Sequence, residues 1–208
     1  MVTNRLEGFF EEPAAHCPHD TPLQQAGVPY HYRACSFDTL DPSQDPEAFE
    51  ICRLYGQTGH YQGKHGLLLM GPPGNGKTSV AVALLHQALS QNPPLKVGFW
   101  QGPRTEPRPD DPEPRPGPRL PDLADLDLIV LDDLGRQSMT PWEAEQLYLL
   151  LFGRWAAGKG VIITNNLPTA VFVQRLDQAL RARLPELCFP VLFRGPDRRA
   201  GNGGAKDG

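Results

Sequence analysis

GLLLMGPPGNGKTS, running from Gly66 to Ser79, is an apolar run followed by a glycine-rich turn and the start of a helix-forming segment. Gly71, Gly76, Lys77 and Thr78 fill every fixed position of G-x-x-x-x-G-K-[ST], and Leu67–Met70 supplies the buried strand such a loop needs in front of it. Gly71, Gly74 and Gly76 free the backbone to turn successive N–H groups inward. Gly71, Pro72, Pro73, Gly74, Asn75, Gly76, Lys77, Thr78 and Ser79 therefore form a candidate cradle for phosphate oxygens. Lys77 offers a point charge to the β/γ-phosphates, and the Thr78 hydroxyl can ligate Mg²⁺. A helix expected from about Lys77 to Leu89 aims the positive end of its dipole at the same place.

Working outward, DLIVLDD (Asp127–Asp133) is apolar until it ends in acids. That is the pattern of a parallel strand covered on both faces, with functional groups at its carboxyl end. Further strands are expected at Leu95–Trp100, Val161–Thr164 and Cys188–Phe193. Thr140-Pro141-Trp142-Glu143 announces a helix to about Ala157, and another is expected from about Thr169 to Leu184. Strands alternating with helices imply an α/β fold with a five-stranded parallel sheet, whose right-handed crossovers place every strand's carboxyl end on one rim. On that rim Asp132 is expected toward a metal and Asp133 as the base that polarises an attacking water. Asn166 (or Asn165) can hold a γ-phosphate or that water; an Asn before Pro168 can also simply begin a turn. Arg181 and Arg183, two residues apart, cannot share a helix face, so one of them can reach out of the subunit.

The 208 residues suit one α/β domain. A net charge of −4 argues against bulk attraction to nucleic acid, although residues 1–50 hold only Arg5 and Arg33 as strong cations while the chain beyond Phe172 is arginine-rich. That asymmetry fits a local nucleic-acid patch, head-to-tail self-association or a solvated surface. Cys17, Cys35, Cys52 and Cys188 form no C-x-x-C pair, which points to a reducing cytoplasm. Cys17, His19, His31 and Cys35 can be drawn as a metal set, but their spacing fits no standard zinc motif. No apolar run approaches membrane-spanning length, and Glu7, Glu11 and Glu12 stand where a signal peptide needs basic residues. Residues 1–25 read as a flexible acidic extension on which Leu6, Phe9 and Phe10 would share one helical face, a candidate anchor for a partner. A helix opening at Asp45-Pro46 is expected to bury Ala48, Ile51, Cys52 and Tyr55. Residues 102–121 contain eight prolines and read as a surface linker.

With these residues in view, the chain resembles the DnaC/IstB group of AAA+ ATPases, bacterial helicase loaders and transposition accessory proteins. The resemblance runs over about residues 26–199 and is carried by AGVPYHYRACSFDTL, GLLLMGPPGNGKTSVAVALL, DLIVLDDLG, EAEQLYLLLFGRW and VIITNNLP, and more loosely by LRARL and FRGPDRR. It implies a P-loop NTPase fold of AAA+/ASCE type that binds ATP and Mg²⁺ and hydrolyses the nucleotide. Lys77, Asp133, Asn166 and Arg183 would form the catalytic set, with Arg183 acting in trans. Thr78 and Asp132 would hold the metal, Val28 and Tyr32 would border adenine, and Arg199 would stand near the second sensor. It further implies ATP-dependent homo-oligomers, a replicative helicase or transposase as partner, and contact with single-stranded DNA. The chain departs from the group in its short N-terminal extension, its proline-rich linker and a minimal or absent C-terminal lid before a disordered tail at 200–208. Those departures leave open a shortened adaptor that binds ATP with little turnover.

Overall fold

The protein is described here by a computed structural model covering residues 20–63, 65–102, 119–136 and 139–197. Leu6, Phe9, Phe10, Cys17, His19, most of the proline-rich linker, Arg199 and the tail from 200 onward lie outside the described residues. In chain order the elements are α1 (Asp20–Gln25), α2 (Pro46–Gln57), β1 (Gly66–Met70), α3 (Lys77–Gln91), β2 (Val97–Trp100), β3 (Leu128–Leu131), α4 (Pro141–Ala157), β4 (Gly160–Asn165), α5 (Thr169–Arg175), α6 (Gln178–Leu187) and β5 (Cys188–Leu192).

The five strands pair in parallel in the order β2-β3-β4-β1-β5. Successive side chains along a strand face opposite ways, so the apolar runs split between two cores. Leu67, Leu69, Leu128, Val130 and Ile162 pack with α2 and α3 on one face; Leu68, Met70, Ile129, Leu131, Val161 and Ile163 pack with α4 and α6 on the other. Continuous hydrophobic runs are what a strand covered on both sides requires. β5 is an edge strand, and Pro190 is tolerated there because an edge residue can lack an amide donor without breaking a ladder.

Helix boundaries follow local chemistry. Thr140 and Glu143 exchange the capping-box hydrogen bonds expected of them, and Gly158 ends α4 in the left-handed conformation. The single helix expected over 169–184 is instead two. Leu176 is extended, and the Asp177 carboxylate accepts from the Leu180 N–H at 2.7 Å, starting a new helix that buries Leu180 and Leu184. On α2 the expected Ile51 is exposed and Phe49 takes its place in the core, because the buried face is centred on Ala48, Phe49, Cys52, Tyr55 and Gly56. Leu23 of α1 is fully buried, and the Phe99 N–H bonds the Ala26 carbonyl at 2.8 Å. Packing therefore begins within the stretch expected as an extension.

Arg154, on the last turn of α4, is among the largest buried side chains. Its guanidinium donates to the carbonyls of Leu123, Leu126, Asp127 and Gly160, joining the turn before β3 to the start of β4. Burial pushes its pKa down to about 10 while Asp127 pulls the other way, so it stays charged at neutral pH. Arg154→Ala strips partners from four carbonyls and is expected to cost about 3 kcal/mol or more. Urea denaturation measures that loss, and Arg154→Lys should recover only part of it, because an ammonium cannot reproduce the planar fork.

Candidate functional site

β1 delivers the chain into the turn Gly71–Gly76, and α3 starts at Lys77. Gly71 and Gly74 have φ of 145° and 80°. A Cβ on Gly71 would lie 2.1 Å from the Phe193 carbonyl oxygen, and one on Gly74 would lie 1.8 Å from the Asp197 carboxylate. Both positions therefore need glycine for space as well as for conformation. The turn wraps its own lysine. Lys77 is only 3% exposed, and its Nζ donates to the Pro72 carbonyl at 2.7 Å and to Asn75 Oδ1 at 2.8 Å. Asn75, fully buried, spends its Nδ2 on the Phe193 carbonyl at 3.2 Å. The loop is thus anchored to the chain leaving β5. That chain is itself held by Asp45, whose carboxylate accepts from the N–H groups of Arg194 and Gly195.

Because β3 lies between β2 and β4, with β1 next, the groups leaving all four strands converge. Asp132, immediately after β3 and 5% exposed, is the meeting point. Its Oδ1 accepts from Thr78 Oγ1 at 2.8 Å and Thr164 Oγ1 at 2.7 Å; its Oδ2 accepts from Gln101 Nε2 at 2.8 Å. Thr164 also accepts the Asp133 N–H at 2.8 Å, so one hydroxyl sets both acids. Asp133 takes a left-handed φ of 56°, uncommon for a non-glycine residue. Its Oδ1 accepts from Asn166 Nδ2 at 2.7 Å and its Oδ2 pairs with Arg136 at 3.3 Å. Asn165 turns inward instead, bonding the Leu134 carbonyl and the Leu167 N–H. The structure therefore brings Asn166, not Asn165, to Asp133.

Val28 is buried, and its carbonyl accepts from Arg33 Nε at 3.0 Å. Cys35 bonds the Ser79 side chain, which places the segment carrying Val28 and Tyr32 against the first turn of α3; burial raises the Cys35 thiol pKa and this hydrogen bond works against it. Among the described residues no group of three or more His, Cys, Asp or Glu side chains could hold a metal ion on its own. Arg183 pairs with Glu186 at 2.8 Å on the exposed face of α6, and Arg181 bonds the Leu176 carbonyl. Two residues of the rim escaped the reading of the sequence. Gln101 follows the apolar run of β2 just as Asp132 follows that of β3, so the same rule would have found it. Arg175 donates to the carbonyls of Gly135 and Arg136 at 2.7 and 2.8 Å, fixing the turn after Asp133; no local pattern announces an arginine in that role.

A family model described as IstB-like ATP binding protein matches residues 50–184, a span that takes in the glycine-rich turn, both acids and the Asn166 strand end. The chain belongs to that family. This IstB-like chain is 33% identical over 109 residues to an ATP-binding protein of insertion sequence IS1162 from Pseudomonas fluorescens, a match covering 51% of the chain and 46% of that relative. The chain thus spans less than half the length of the curated relative it matches. Its fold is similar to the crystal structure of the DnaC helicase loader (TM-score 0.63, 21% identity, 78% of this chain and 98% of that one) and to that of DnaI (0.64, 20%, 82% and 94%). Those likenesses show the fold, a five-stranded parallel sheet flanked by helices, and ATP is the ligand named for the family. No helix among the described residues is long and apolar enough to cross a membrane.

Thr164→Val keeps the shape of the side chain but removes the donor to Asp132 and the acceptor for Asp133. It is expected to cost ~1–3 kcal/mol, seen as a lower urea midpoint with an unchanged slope.

Proposed function

We propose that this protein binds Mg²⁺·ATP, hydrolyses it, and uses its nucleotide state to govern docking on a replicative helicase or related DNA-processing partner in the cytoplasm. The reading rests on one observation above all: Thr78, Thr164 and Gln101 converge on Asp132 beside an Asp133 held by Asn166. Residues Gly71–Ser79 receive the triphosphate. There Lys77 can exchange its bonds to a carbonyl and an amide oxygen for bonds to anionic phosphate oxygens, in which both partners are charged. Val28 and Tyr32 border adenine, and Arg199 is assigned to the second sensor. Thr78 and Asp132 would hold Mg²⁺, which would supply positive charge against the phosphates. Asp133 accepts a proton from the attacking water while Asn166 orients its carboxylate. Arg136 must first release Asp133, and since its side chain is 76% exposed that release costs little.

Lys77→Ala is expected to weaken binding of a fluorescent ATP analogue by about 10- to 100-fold. Asp133→Asn should bind the analogue normally and lose turnover by on the order of 10² or more. Wild-type turnover in both purified variants would overturn the assignment.

A second reading, an adaptor that binds ATP with little turnover, is favoured by the engagement of both Asp133 oxygens and by a carboxylate one methylene shorter than Glu. Turnover with and without single-stranded DNA separates the two. The IS1162 relative supports a transposition helper as the variant of the first reading, and the DnaC and DnaI likenesses support a loader. Leu6, Phe9 and Phe10 remain the proposed docking residues. Arg183 is assigned a role across the interface of an ATP-dependent homo-oligomer. Arg183→Ala should remove only the assembly-dependent part of turnover, by roughly 10³-fold; subunit-mixing kinetics that leave cooperativity unchanged rule the role out.

A further inference from the structure

Gln101 stands directly after β2, level with Asp132, because Trp100 pairs with Leu131 in the parallel ladder and the Asp132 N–H bonds the Trp100 carbonyl at 2.7 Å. Its amide orientation is fixed by its partner. A carboxylate oxygen only accepts, so the amide nitrogen must face Asp132 Oδ2, at 2.8 Å, and the amide oxygen must face away. That oxygen, Oε1, is buried and has no hydrogen-bond partner among the described residues. A buried acceptor without a donor costs about 1–3 kcal/mol, and folded proteins hold few of them. Asp132, beside it, has both oxygens engaged, so the cluster is complete except at Gln101 Oε1.

The chemistry of the vacant acceptor selects its ligand. Phosphate oxygens are acceptors themselves and would be repelled. A hydrated divalent cation presents the opposite: waters polarised into strong donors, several of which Mg²⁺ keeps when it binds through one or two carboxylates and a nucleotide. We infer that Gln101 is a positioning residue for the metal, its Nε2 fixing the plane of the Asp132 carboxylate while Oε1 accepts a hydrogen bond from a metal-bound water. The inference rests on the Mg²⁺·ATP reading of this same rim and extends it to a residue on the strand beyond Asp132. Loss of a metal-orienting partner of this kind typically costs about 10- to 100-fold in metal affinity.

The test uses the full chain and two variants, Gln101→Ala and Gln101→Met, the second keeping most of the side-chain bulk. A fluorescent ATP analogue is titrated in EDTA, and Mn²⁺ is then titrated into the analogue complex and followed by its electron paramagnetic resonance signal. The expected result is metal-free affinity within about twofold of wild type and Mn²⁺ half-saturation raised about 10-fold in both variants. Mn²⁺ half-saturation within about twofold of wild type in both variants overturns the inference. So does an equal loss in EDTA and in Mn²⁺, which would mark Gln101 as a structural support only. Failure of the wild-type protein itself to bind the analogue, with or without metal, instead overturns the nucleotide reading and the inference with it.

Discussion

The Asp132 carboxylate is the constraint on which the rim is built. It is nearly excluded from solvent, and a buried charge is tolerated only where hydrogen bonds replace the water it has lost. Here the replacements come from α3, β4 and the residue after β2, that is, from pieces of chain that meet only if the strand order is β2-β3-β4-β1. The acid thus enforces the topology as much as the topology places the acid. Thr164 is the economical member of this set, since one hydroxyl donates to Asp132 and accepts the backbone of Asp133.

A second set of bonds ties the glycine-rich turn to the end of the sheet. Asn75 holds Lys77 with its oxygen and the Phe193 carbonyl with its nitrogen, and Phe193 is followed by two amides gripped by Asp45. The turn, the exit from β5 and the start of α2 therefore form one connected unit. Asp197 packs against Gly74 at the far end of the same segment. Any ligand that draws Lys77 away from Asn75 removes one of the bonds that hold this unit. The buried Asn75 amide thus links the site to the chain's C-terminal portion.

Most of the sheet was legible in the sequence because β1 to β4 are buried on both faces, which leaves uninterrupted apolar runs bounded by glycine, proline and acids. The turn was legible because its chemistry is local: Gly71, Gly76, Lys77 and Thr78 are fixed by spacing alone. What could not be read depended on contacts distant in sequence. Periodicity carried α5 into α6, since Leu176, Leu180 and Leu184 keep a helical spacing and reach the same core, and only the Asp177 cap separates the helices. Ile51 falls at helical spacing with Ala48, Cys52 and Tyr55, but the buried face of α2 is chosen by what packs against it. Arg154 and Arg175 bond carbonyls tens of residues away, and nothing in their neighbourhood distinguishes them from solvated arginines.

Asp133 and its surroundings bear on how such a site would communicate. The residue sits in a left-handed conformation held by Thr164 beneath it and by the turn that Arg175 clamps above it. Arg175 ends α5, and α5 leads through the break at Leu176 into α6, where Arg181 bonds the Leu176 carbonyl. Asn166, which touches the Asp133 carboxylate, lies three residues before α5. Two separate connections therefore run from this acid into the same short helix, one through the side chain of Asn166 and one through the backbone of Gly135 and Arg136. Under the nucleotide reading, a shift of Asp133 toward a water or a phosphate would pull on both together. Leu176, extended between α5 and α6, has its carbonyl held by Arg181, so a displacement of α5 would be passed on to α6.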